Sequence, residues 1–169
     1  VKLRRIVSGG QTGVDRGALD AALEAGFPCG GWCPQGRRAE DGIIPARYPV
    51  NELGGAGYRQ RTLRNVLDSD ATLIIAFGPT RGGTELTRRF CRENGIPCRV
   101  IDATTLTPGQ AAPLIAGFVS AHDIATLNVA GPRESQAPAA CAYTREVMRL
   151  FLSAQEGACG ERVRNSGGP

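Results

Sequence analysis

An α/β fold with a largely parallel sheet is predicted by three features of the chain. Segments of strand character alternate with segments of helical spacing as far as Phe151. One segment, Ala71-Thr-Leu-Ile-Ile-Ala-Phe77, is almost continuously apolar, as a central parallel strand covered on both faces should be. And three strand candidates run straight into a glycine-bearing turn and then a helix, the junction from which right-handed βα units are built.

Leu3 to Val7 is a short apolar run interrupted by Arg4 and Arg5, and reads as the first strand. Ser8-Gly-Gly-Gln-Thr-Gly13 turns the chain, and Ala18, Leu19, Ala22 and Leu23 recur at helical spacing until Gly26 and Pro28 end the helix. Residues 27–32 form a second strand weakened by its glycines. Cys33 to Gly57 sustains neither period and carries three prolines and five glycines. So long a structureless stretch is uncommon in a compact domain and is often a working loop. Its apolar members Ile43, Ile44, Tyr48 and Val50 indicate that it is packed down, with room for a brief strand from Tyr48 to Leu53. A binding loop is the favoured reading and a surface excursion the alternative.

Residues 59–68 are helical, with Leu63, Val66 and Leu67 expected to face inward, and Ser69-Asp70 breaks the helix before the central strand. The second junction, Gly78-Pro-Thr-Arg-Gly-Gly-Thr-Glu85, leads into a helix with Leu86, Phe90 and Cys91 on one face and Gly95 just past its end. Pro97 to Ile101 is a strand, Pro108 to His122 a mostly helical stretch, and Ile124 to Ala130 the last strand. The third junction runs from Asn128 to Ser135; Ser135 is suited to cap the next helix and Pro138 to stand in its first turn. Tyr143, Val147, Leu150 and Phe151 then recur at helical spacing, a core-facing stripe. Residues 1–154 read as a single domain and 155–169 as a flexible tail.

A chain of 169 residues can bury a core of its own, and an apolar share of 41% beside 21% charged residues is that of a soluble globular protein. No apolar run approaches the roughly 18 residues that span a bilayer, and no apolar stretch follows the N-terminal basic residues, so a cytoplasmic protein without membrane contact is expected. Net charge is +4, and of the 20 basic residues only Lys2 is lysine. Guanidinium forks suit phosphate and carboxylate, although many of these arginines simply solvate the surface. Aromatics at 5%, not interleaved with a basic run, argue against nucleic acid. The six cysteines make no C-x-x-C pair and His122 is the single histidine, so buried reduced thiols are expected and no metal site.

The first amides of a helix lack internal partners and favour negative charge. Gly9, Gly10 and Gly13 would let a phosphate approach the first turn, as would Gly82 and Gly83 at the second, where Thr84 and Arg81 add a hydroxyl and a charge. The first turn is neither a Walker loop nor a G-x-G-x-x-G fingerprint, and a plain turn without ligand is the alternative there. A helix N-terminus contributes about 0.3–1 kcal/mol, whereas micromolar affinity needs about 8 kcal/mol. A composite site at the carboxyl ends of the strands is therefore expected, where open parallel sheets hold their ligands.

Five ordered motifs carry a resemblance: Ser8-Gly-Gly-Gln-Thr-Gly-Val-Asp-Arg16, Cys33-Pro-Gln-Gly-Arg-Arg-Ala-Glu-Asp-Gly42, Asp68-Ser-Asp-Ala-Thr-Leu-Ile-Ile75, Gly82-Gly-Thr84 and Leu127-Asn-Val-Ala-Gly-Pro-Arg-Glu-Ser135. Together they resemble the putative molybdenum carrier family. The resemblance implies a Rossmann-like fold with helices on both faces of the sheet, kinship with molybdenum cofactor carriers and lysine-decarboxylase-like phosphoribohydrolases, a phosphorylated pterin or nucleotide-like ligand, and a homodimer or homotetramer. Molybdenum cofactor is then the expected cargo. Gly9, Gly10, Gly13, Gly82, Gly83 and Thr84 would cradle phosphate, while Arg37, Arg38, Arg81 and Arg133 would contact the anion. Gln11, Thr12, Arg16, Asn128, Gly131, Glu134 and Ser135 in those motifs, with Gly78 at the second junction, complete the candidate ligand-binding set. Asp15, Glu40 and Asp41 repel phosphate, so they would accept from ribose hydroxyls or pterin nitrogens, orient the arginines, or bind a metal ion; for Asp15, stabilising the first helical turn is the plain alternative.

The hydrolase relatives carry P-G-G-x-G-T-x-x-E with a catalytic glutamate. Here Glu85 directly follows Thr84 and position 87 is threonine, which favours a carrier over a hydrolase. In the alternative, a nucleoside-monophosphate phosphoribohydrolase, Glu85 or Glu40 would stabilise the departing ribosyl cation. A nucleotide sensor without turnover is the third reading.

Overall fold

The structure is a computed structural model that describes the backbone of residues 2–164 and the side chains up to residue 155. Six strands make one sheet: β1 (Arg5–Val7), β2 (Cys29–Pro34), β5 (Val50–Leu53), β6 (Ala71–Ala76), β7 (Cys98–Asp102) and β8 (Thr126–Ala130). Their order is β5-β2-β1-β8-β6-β7, and every pairing is parallel. Among the described residues five helices complete it: α1 (Val14–Glu24), α2 (Tyr58–Leu67), α3 (Gly82–Glu93), α4 (Pro108–Ala121) and α5 (Ala140–Arg164). This is the Rossmann-like α/β architecture expected.

β6 is buried along its whole length, because both of its faces are covered. Leu73 and Ile75 join the large core shared with α1, α4 and α5. On the other face α2 and α3 close over Val66, Phe90 and Cys91. A third cluster, Leu19, Cys33, Ile44, Tyr48 and Val50, pins the 33–57 segment against α1 and β2. That segment has structure of its own: a two-stranded antiparallel hairpin, β3 (Arg38–Ala39) with β4 (Gly42–Ile43), followed by β5.

Three local expectations are corrected. Leu67 is 48% exposed, since α2 turns only part of its stripe inward. α5 begins at Ala140, so Pro138 precedes its first turn and Ser135 is no cap. Its hydroxyl goes instead to the hairpin. The backbone of α5 runs helical to Arg164, and residues 165–169 of the stretch expected to be a tail lie outside the described residues.

The topology fixes where a site can form. From β1 the chain builds outward through β2 to β5, crosses to β6 and β7, and returns to lay β8 between β1 and β6. The carboxyl ends of β1, β8 and β6 are thereby neighbours, and each carries one of the three glycine junctions.

Candidate functional site

The first and third junctions are closed against each other. Gly13, at φ 78°, precedes α1, and a β-carbon there would stand 2.5 Å from the Pro132 carbonyl oxygen. The Val14 amide donates to that carbonyl (3.2 Å), and the Ser8 hydroxyl donates to the Val129 carbonyl (2.7 Å). The glycines expected to admit phosphate at this turn instead admit the protein itself. Above Gly9 lies the guanidinium of Arg61, delivered by α2; its Nη1 donates to the buried carboxylate of Asp15 (3.1 Å), which also accepts the Gln11 amide (3.2 Å). Burial pushes the Asp15 carboxyl above its ordinary range, and Arg61 pulls it back only in part.

The hairpin clasps this closed pair. Glu40 accepts the Thr12 hydroxyl on the first junction and both the amide and the hydroxyl of Ser135 on the third, with Arg133 at 3.9 Å. Partial desolvation raises the Glu40 carboxyl, but the Ser135 and Thr12 bonds outweigh it and hold the group below the usual carboxylate range. Beside it, Arg16 grips Asp41 through both amino groups (2.5 and 2.8 Å), which lowers the Asp41 carboxyl. Arg37 gives its guanidinium to the carbonyls of Ile44, Val50, Pro45 and Tyr48 at 2.7–3.1 Å, stapling the loop. Arg38 is exposed and donates to the Gln35 carbonyl. Glu134 accepts the Cys141 amide at the start of α5.

The second junction is different, because it is open. Gly78 is held by the Asp102 carboxylate (3.2 Å), and a β-carbon at Gly78, Gly82 or Gly83 would meet nothing within 4 Å. Arg81 immediately precedes α3. Glu85 is tied to the Thr80 hydroxyl, with Arg88 at 3.8 Å, and its side chain is 43% exposed.

Between this open junction and the closed pair runs a cleft with two lobes that share Thr84 and Gln136. The inner lobe, about 120 Å³, lies over β8 and is lined by Gly9, Asp15, Arg61, Asn128 and Arg133 among others. The outer lobe, about 420 Å³, lies at the end of β6 between Phe77, Pro79, Arg81 and Ala137. Four arginines line the two lobes, Arg59, Arg61, Arg81 and Arg133, with Asp15 the single acidic residue on the walls. Asp15 pairs with Arg61, while Arg59 and Arg81 make no ion pair among the described residues.

Of the candidates chosen from sequence, Gly9, Gln11, Asp15, Arg81, Gly83, Thr84, Asn128, Gly131 and Arg133 meet at the cleft. Gly10, Thr12, Gly13, Arg16, Arg37, Arg38, Glu40, Asp41, Gly78, Gly82, Glu85, Glu134 and Ser135 are not on its walls. Sequence reasoning missed Arg59, Arg61, Thr87 and Gln136. One signal was there to find: α2 carries Arg59, Arg61 and Arg64 and no acidic residue. No group of histidine, cysteine and carboxylate side chains that could hold a metal ion exists among the described residues.

Residues 6–152 match the family model described as "Circularly permutated YpsA SLOG family". The chain belongs to this family. The chain is also similar to a crystal structure from Syntrophus aciditrophicus SB described as "Putative molybdenum carrier protein", with 43% identity and a TM-score of 0.86 over 89% of this chain and 95% of that one. No curated protein matches. No helix among the described residues of this SLOG-family chain is long and apolar enough to cross a membrane.

Proposed function

We propose that the chain binds a phosphorylated, pterin-like or nucleotide-like small molecule in the two-lobed cleft and acts as its carrier, with molybdenum cofactor as the cargo. The observation that carries the reading is the sign of the cleft: four arginines against one acidic residue, gathered at the switch of strand order where such sheets hold ligands. The open amides at Gly82 and Gly83 lie at the dipole-positive end of α3, a further support for negative charge. The outer lobe has the size and mixed apolar lining of a small-molecule pocket. The molybdenum part of the reading rests on the likeness to the Syntrophus putative molybdenum carrier protein.

A carrier is favoured over a phosphoribohydrolase by where the carboxylates are. Glu85 and Glu40 are both off the cleft walls and engaged by hydroxyls, and Asp15 is engaged by Arg61. None stands ready to stabilise a ribosyl cation. Mass spectrometry of small molecules released from protein purified without refolding, with molybdenum measured on the same sample, tests the reading. A phosphorylated pterin retained with molybdenum is expected. Release of free base from a nucleotide panel, lost in Glu85→Gln or Glu40→Gln, would replace it by the hydrolase.

A further inference from the structure

We propose that the inner lobe is a seat for a tetrahedral oxyanion, held by the guanidinium of Arg61 with Asp15 as its positioning residue. The proposal rests on the reading that the cleft takes an anionic small molecule, and it names the group within the cleft that grips the anion.

The argument begins with an incomplete pairing. The Arg61 side chain is only 14% exposed, and of its donors Nη1 goes to Asp15. Its Nε is buried and has no acceptor. Buried donors in folded proteins nearly always have a partner, so this guanidinium is under-used as it stands. Its second amino group, Nη2, is not sealed from solvent and makes no hydrogen bond among the described residues, so it is the donor that an acceptor arriving in the lobe can reach. The contrast with Arg16 sharpens this. Arg16 meets Asp41 with both terminal amino groups and is consumed by the pair. Arg61 meets Asp15 through one amino group, so the pair anchors the guanidinium and leaves the second amino group unspent.

The fold is built to hold Arg61 there. A β-carbon on Gly9 would lie 1.5 Å from Nη1, so the guanidinium occupies the space that glycine at this position leaves free. Asp15 supplies the counter-charge from beneath, itself fixed by the Gln11 amide. Around the same lobe stand Arg133, Arg59 and the Thr84 hydroxyl, further donors for a compact anion. Guanidinium forks match phosphate-like oxygens in a way that lysine does not. The inner lobe is also much the smaller of the two, which suits a compact anion there and the bulk of a larger ligand in the outer lobe.

The test is titration calorimetry and thermal shift with orthophosphate, molybdate and 5′-AMP on wild-type protein, on Arg61→Lys, and on the double variant Asp15→Asn/Arg61→Gln. The double variant replaces the ion pair by two neutral amides and leaves no buried charge unpaired, so it keeps the question open to test if Arg61→Lys fails to fold. At least one tetrahedral oxyanion is expected to bind wild type, and both variants are expected to weaken it by about tenfold or more. Binding of the free anions and the ester alike assigns the seat to the oxyanion group itself; binding of 5′-AMP alone assigns it to an esterified phosphate. Unchanged affinity in a folded variant overturns the proposal, as does wild type that binds none of the three. Retention of a pterin or nucleotide by wild type and Arg61→Lys alike would sink this inference and leave the carrier reading standing. An Arg61-dependent phosphate site in a protein that retains no organic ligand would do the reverse.

Discussion

Gly9 and Arg61 share one volume: the space a side chain at Gly9 would need is filled by the Arg61 guanidinium, 1.5 Å from where its β-carbon would be. Gly9→Ala must therefore push Arg61 aside and leave Asp15 buried without its cation. A cost of about 1–3 kcal/mol is expected at neutral pH. Burial raises the Asp15 carboxyl already, and losing Arg61 raises it further. A carboxyl raised by folding gives stability that is full below its unfolded value and is lost as pH rises through the folded value. The Gly9→Ala penalty should accordingly grow from acid to neutral pH, which urea unfolding across that range will show. A penalty independent of pH would mean that Arg61 stays on Asp15.

Glu40 behaves in the opposite sense. Its carboxyl is held low by Ser135, Thr12 and Arg133 against a desolvation that raises it. Its stabilising contribution is thus present above the unfolded carboxylate value and lost as pH falls through the folded one. Glu40→Gln should cost about 1–3 kcal/mol at neutral pH, since a charged acceptor of two hydroxyls is removed. It should also flatten the acid limb of the stability profile. Denaturant midpoints as a function of pH for wild type and variant make the comparison.

Arg37 offers a prediction about the loop. Four carbonyls of the 44–50 stretch depend on this one guanidinium. Arg37→Ala is expected to cost about 2–4 kcal/mol, and Arg37→Lys somewhat less, because an ammonium cannot reach four acceptors in one plane. Limited proteolysis should then cut within residues 38–50 before any other part of the chain.

How much of this was legible in the sequence depends on the range of the interaction. The alternation of strand and helix, the buried β6 and the three junctions follow from local pattern, and the sheet has them where the pattern puts them. The 33–57 stretch reads as packed from its apolar residues, but its hairpin is not legible, because two-residue strands leave no period to read. The motifs found the closed junctions as readily as the open one. Nothing local says that Gly13 faces the Pro132 carbonyl while Gly83 faces empty space, since both depend on which strands become neighbours. Arg61 escaped for the same reason: it reaches Asp15 across 46 positions of sequence and lies in no glycine motif.

That difference between glycines separates stability from binding. Gly83 is the second residue of α3, lines the inner lobe, and has nothing within 4 Å of a would-be β-carbon. Gly83→Ala should leave the fold intact and can stabilise it by up to about 1 kcal/mol, since alanine is the better helix former. The added methyl would occupy ligand space and shield the amides of the first turn. Gly13→Ala meets the Pro132 carbonyl at 2.5 Å from a left-handed conformation and should cost more than about 2 kcal/mol. Melting temperature and the amount of small molecule retained on purification, measured together, distinguish the two. Gly83→Ala should keep the first and lose the second, whereas Gly13→Ala should lose the first. A Gly83→Ala protein that retains its ligand at the wild-type level would place the ligand away from the start of α3, and the open junction would then be an exposed turn with no part in binding.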